Sequence, residues 1–138
     1  MPFSDRDFLD EVRRLSGLES RRHAESAALS VLTHLVGRLS WREQQDLAAK
    51  LPPRLRRRVL AAPNTDLRYA APAVFLRDVA DELLVSPARA EEIARAVGGV
   101  VAQNLPAEEL GDLRAELNTT FEAVFGADHS PLRPPAEV

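Results

Sequence analysis

The chain reads as an all-α helical bundle made of two pseudo-symmetric repeats, each of three or four helices. Three observations point there. Apolar residues recur at spacings of three and four with hardly any strict alternation, which is the helical period and not the strand period. Capping residues and prolines punctuate the chain at intervals that suit short helices. The first half also recurs in the second. Phe8-Leu9-x-x-Val12 lies over Phe75-Leu76-x-x-Val79 at an offset of 67, and from Ala24-Glu25 over Ala90-Glu91 onward the offset is 66. Val31 then meets Val97, Leu35 meets Val101, Leu39 meets Leu105, Glu43 meets Glu109, Asp46-Leu47 meets Asp112-Leu113 and Leu51 meets Leu117. Leu55 and Val59 fall on Phe121 and Phe125, so large apolar positions coincide even where the residue type has changed. A core face common to both halves accounts for this.

Taken in order, the first helix is expected from Asp5 to Leu15, with Ser4 and Asp7 as a capping box, Phe8, Leu9, Val12 and Leu15 on the buried stripe, and Gly17 as the stop. The second opens near Ser20 and carries Ala24, Ala27, Ala28, Val31, Leu32, Leu35 and Val36, which makes it the centre of its unit. Ser40 and Glu43 form another capping box for a short helix toward Leu51. Pro52-Pro53 breaks that helix before an arginine-rich one anchored by Leu55 and Val59. The second unit repeats the punctuation: a helix from Ala71 to Leu84, then Ser86 as N-cap with Pro87 at the first helical position, then Pro106 opening a helix with Glu108 and Glu109 near its positive end. Residues 1–129 form one domain, with repeat one at 4–61 and repeat two at 71–127, joined by a turn-rich connection over 61–66. The proline-rich tail, 130–138, is expected to be disordered.

Bulk composition sets the class. With 45% apolar and 28% charged residues the chain has a globular balance, and its 138 residues suffice for a core without metal or disulfide. The absence of cysteine removes thiolate chemistry and fits a reducing cytoplasm, the expected location. No apolar run is long enough for a bilayer, and Met1 to Arg14 lacks a signal-peptide centre. The net charge of −3 hides an asymmetry: residues 1–63 carry 12 basic and 8 acidic groups, residues 64–138 carry 6 and 13.

Phe8-Leu9, Ala24-Glu25, Leu39-Ser40, Glu43, Asp46-Leu47 and Leu51-Pro52, with Phe75-Leu76, Ala90-Glu91, Leu105, Glu109, Asp112-Leu113 and Leu117 in the second copy, make the chain resemble a bacterial family known as domain of unknown function 2267. The resemblance covers about Ser4 to Gly126. It departs at Asn118, which stands where the first copy has Pro52, and at Gly98-Gly99, which interrupts the helix where the first copy has Leu32-Thr33. It implies a small helical protein and carries over no catalytic residue.

Candidate chemistry is sparse. His23, His34 and His129 have no ligand spacing, so no metal or cofactor is expected. Glu43 with Asp46, and Glu109 with Asp112, put paired carboxylates on one helix face, but first-turn acids are explained by capping and the helix dipole. No catalytic residue is assigned, and an enzyme is disfavoured. Lys50, Arg54, Arg56, Arg57 and Arg58 form the densest charge feature and could neutralise phosphates, although stacking aromatics are nearly absent. Gly98-Gly99 is expected to mark close helix packing, or else a kink or groove that accepts a partner. Trp41 is either a staple against the core or an exposed anchor. The expected function is a non-catalytic protein–protein interaction or structural module, binding a partner or a second copy, with no membrane role; nucleic-acid association through the arginines is the alternative. The candidate partner-binding residues are Trp41, Lys50, Arg54, Arg56, Arg57, Arg58, Gly98 and Gly99.

Overall fold

A computed structural model describes residues 4–62, 71–117 and 119–125, and among these residues the regular structure is entirely helical. The helices are α1 (Asp5–Ser16), α2 (Arg21–Val36), α3 (Trp41–Ala49), α4 (Pro53–Ala61), α5 (Pro72–Leu83), α6 (Pro87–Gln103), α7 (Ala107–Leu117) and α8 (Thr119–Phe125). The tail, most of the expected inter-repeat connection and the side chain of Phe121 lie outside the described residues.

Local chemistry sets the helix starts. The hydroxyls of Ser4, Ser20, Ser40 and Ser86 accept from the amides of Asp7, His23, Glu43 and Arg89, satisfying one orphan donor in each first turn. Proline occupies the first turn of α4, α5 and α6, where its missing N–H leaves nothing unpaired. Gly17 ends α1 at φ +78°, the left-handed conformation that suits glycine, and its N–H donates to the Arg13 carbonyl. At the matching end of α5 the left-handed position is held by Leu84, at φ 58°.

Two caps are completed from a distance. A capping box would assign the Ser40 N–H to the side chain of Glu43. In the structure that N–H donates to Glu116 Oε1 at 2.8 Å, and the Ser40 hydroxyl donates to Glu116 Oε2 at 2.9 Å. The start of α3 is thus tied to α7. Pro52 has no side-chain acceptor for the first turn of α4. The Asp5 carboxylate takes its place, accepting from the amides of Arg54 at 3.0 Å and Leu55 at 2.9 Å.

Packing follows from these ends. Helix α1 lies on both α2 and α6, and α5 lies on both α6 and α2, so each opening helix bridges the two long helices, which also touch one another. One apolar cluster runs through both halves. It takes Phe8, Val12, Val31 and Leu35 from the first and Phe75, Val79, Val97 and Val101 from the second, all buried. Leu15 departs from its expected burial and is 43% exposed. The stripe continues instead from Val12 to Ser16, one turn on, whose hydroxyl donates to the Val12 carbonyl; Leu15 lies at its edge.

Gly98 and Gly99 do not interrupt α6, which runs unbroken from Pro87 to Gln103. A Cβ on Gly98 would stand 2.4 Å from the Val124 carbonyl oxygen and 2.8 Å from Val124 Cγ1. The missing side chain is what lets α8 lie against α6. Gly99 meets only Leu15 Cδ1, at 3.8 Å. The helix continues through both glycines, and the space at Gly98 is filled by α8.

Candidate functional site

The arginine-rich helix α4 is largely committed within the molecule. Arg54 Nε and Arg58 Nη1 converge on one carboxylate oxygen of Glu25, at 3.0 and 2.7 Å, so α4 is bound to α2 by two cations sharing one acid. Arg56 donates through Nη2 to the Leu51 carbonyl at 2.9 Å, back across the turn that Pro52-Pro53 makes. Lys50 Nζ lies 3.9 Å from Glu109. Arg57 is exposed and has no ion pair among the described residues. The positive N-terminus of α4, another place where an anion could settle, already holds Asp5. Arg54, Arg57 and Arg58 nevertheless stay about half-exposed or more, while Arg56 turns back onto its own chain.

Acids predicted as pairs do come together, across α3 and α7. Glu43, Asp46 and Glu109 border a seam with Leu47, Leu105 and Leu113 that is too tight to admit a water molecule. Glu43 is pushed above the usual carboxylate range first by burial, then by Asp112, Glu116 and Asp46, with Arg42 opposing. Like charges crowd here, yet none of Glu43, Asp46, Glu109 and Asp112 hydrogen-bonds another. Glu116 is occupied by Ser40 and Glu109 by Lys50. Among the described residues no three His, Asp or Glu side chains converge as metal ligands. His23 is exposed, and His129 lies outside the described residues.

Trp41 stands in the first turn of α3, two residues before Glu43. It is 71% exposed, so it is not a staple against the core. Large aromatic rings are seldom left that open, because each carries more burial energy than almost any other side chain. Its mount is stiff: Ser40 caps the helix from one side and Glu116 holds Ser40 from the other.

A second polar group, missed by the sequence reading, lies between α2 and α5. Ser30 donates to Glu82 Oε1 at 2.7 Å, and His34 Nε2 is 2.7 Å from Glu82 Oε2. His34 thus has a tertiary partner, not the local hydrogen bond that is usual for a half-buried helix histidine. One turn on, Arg38 is only 3% exposed. Its guanidinium donates to the Ala71 carbonyl at 3.1 Å and lies 5.2 Å over the Phe75 ring. Burial lowers the Arg38 pKa, with Asp78 opposing, though an arginine stays charged throughout. Ser30 and His34 both bond the same carboxylate and not each other, so the trio is no nucleophile–base relay. The signal was present as Ser30, His34 and Arg38, a polar row four apart that runs along an apolar helix and off its C-terminal end. Nothing in the row itself names α5 as its partner.

Among the described residues, no helix is long and apolar enough to cross a membrane. Residues 5–124 match the model of a family described as an uncharacterized conserved protein, DUF2267, and the chain belongs to that family. No curated protein matches it.

Proposed function

We propose that this DUF2267 member is a non-catalytic helical module that docks a protein partner through the face around Trp41. The observation that carries the reading is one exposed indole on a helix start held from both sides. Aromatic anchors supply a large share of the binding energy in protein interfaces, and a backbone that is already held loses little freedom when the ring is covered. Glu43 lies two residues after Trp41 among Asp46, Asp112 and Glu116, and Glu116 bonds Ser40 beside the ring's own residue; this supports a partner with a basic contact surface, whose approach would slow as salt screens the field. The carboxylates support a structural role, since Glu116 completes a helix cap and Glu109 faces Lys50. Against nucleic acid stands the internal pairing of Arg54 and Arg58.

The test uses the full chain as bait at physiological salt, beside Trp41→Ala. A protein held by the wild type and lost by the variant supports the reading. Because the chain has a single tryptophan, its fluorescence should move to shorter wavelength when the purified partner is added. Identical capture by both baits would overturn it. Titration with single-stranded and duplex nucleic acid runs in parallel. Binding that persists at physiological salt, and is lost on neutralising Arg54, Arg56, Arg57 and Arg58, would install the alternative instead.

A further inference from the structure

Leu84 is the least economical residue in the described structure. It is 90% exposed, and it is the only non-glycine among the described residues with positive φ. The corresponding end of α1, 67 residues earlier, uses Gly17 for the same left-handed cap. A leucine there crowds its own carbonyl and gives its side chain to water, so folding alone favours glycine. The residue before it, Leu83, lines a recess of about 360 Å³ between α2, α4 and α5, together with Leu29, Ser26, Thr33 and Arg58. Glu82 borders the same recess.

This face carries both halves of a contact. It has a projecting leucine and, next to it, a recess lined by both apolar and polar residues; it has a half-exposed cation, Arg58, which shares Glu25 with Arg54 so that the trio keeps a net positive charge, and a half-exposed carboxylate, Glu82, which Ser30 and His34 hold from the inner side. A two-fold axis through such a surface sets knob against recess and cation against carboxylate twice over, and the contact closes without leaving a free end. We propose that the α2–α4–α5 recess and Leu84 form the interface of a homodimer, with Leu84 of each copy seated in the recess of the other. The surface is separate from Trp41, so either assignment can fail while the other stands.

The experiment measures mass by sedimentation equilibrium across a wide range of protein concentration, for the full-length wild type, Leu84→Gly and Ser26→Arg. Ser26 is exposed at the rim, and a long charged chain there fills the recess without touching the core. The wild type should show a concentration-dependent dimer. Each variant should weaken it at least tenfold, while Trp41→Ala leaves it unchanged. Leu84→Gly should in addition raise the urea midpoint under conditions where both proteins are monomeric, which loss of a merely structural side chain would not do. A wild type that stays monomeric throughout overturns the proposal. So does a dimer that survives either variant, or a Leu84→Gly protein less stable than the wild-type monomer.

Discussion

Adding one carbon to Gly98 should cost stability, although the same change one residue later should increase it. Alanine is favoured over glycine inside a helix by about 1 kcal/mol, so on propensity alone both substitutions stabilise. The surroundings separate them. At Gly98 the new Cβ would be 2.4 Å from the Val124 carbonyl oxygen, whereas carbon and oxygen approach no closer than about 3.3 Å in ordinary contacts. Relief therefore requires the α8 backbone to move by on the order of 1 Å, and overpacking of that kind costs about 1–3 kcal/mol. At Gly99 the nearest atom is Leu15 Cδ1 at 3.8 Å, an ordinary contact that needs no adjustment. Gly98→Ala should be destabilised by roughly 1–2 kcal/mol and Gly99→Ala stabilised by about 0.5–1 kcal/mol, after the propensity gain is included. Urea unfolding followed by circular dichroism measures both, as shifts in midpoint at constant slope. A Gly98→Ala midpoint at or above that of Gly99→Ala would refute the close approach of α6 and α8.

Asp5→Ala removes the acceptor for two amides of α4 and should destabilise the fold by about 1–2 kcal/mol in urea unfolding, with Asp5→Asn recovering part of the loss. Arg38→Lys keeps the charge but loses the flat guanidinium over Phe75 and the reach to the Ala71 carbonyl, so it should cost about 1–3 kcal/mol despite being conservative by charge. Glu43 has a folded-state pKa raised above its unfolded value, so the folded state binds the proton more tightly and stability falls as pH rises through that value. Glu43→Gln should therefore stabilise the protein by less than about 1 kcal/mol at neutral pH, and the gain should vanish below the ordinary carboxylate range, as thermal melts across pH would show.

The helices were legible because their ends are written in local chemistry. Ser4, Ser20 and Ser86 cap from within their own first turns, and Pro87 or Gly17 needs only its own backbone geometry to mark a boundary. The contacts at Asp5 and Glu116 were illegible for the opposite reason. Each carboxylate completes a helix about 50 or more residues away in sequence, and no spacing rule links the partners. Glu43 looked like the capping acid because its position is right, but its carboxylate stands among Asp46, Asp112 and Glu116 while Glu116 takes the Ser40 amide. Of the two readings open for Gly98-Gly99, close packing describes Gly98, while Gly99 has only an ordinary contact with Leu15, and α8 as the neighbour is visible only in the folded chain. Sequence shows the charge of the α4 arginines but hides the Glu25 carboxylate that Arg54 and Arg58 share at the surface.

The recurrence within the sequence also serves as an internal control on function. Where aligned positions carry equivalent residues and both are buried, as with Phe8 and Phe75 or Val31 and Val97, folding is a sufficient explanation. Where one copy keeps the residue that the backbone favours and the other does not, folding is insufficient. Gly17 and Leu84 occupy the same left-handed cap, and only the leucine is both strained and bare. Trp41 opens α3 where Ala107, 66 residues on, opens α7, and only the tryptophan leaves a large ring in water. Both departures place apolar surface outward at a helix end, where the backbone is pinned and the side chain is not needed by the core. The core needs neither side chain, and a binding surface would give both a use. Replacing both together, Trp41→Ala with Leu84→Gly, should then leave a chain at least as stable as the wild type. Urea unfolding of that variant below the dimer range decides the point, and a clear loss of stability would return both residues to the fold.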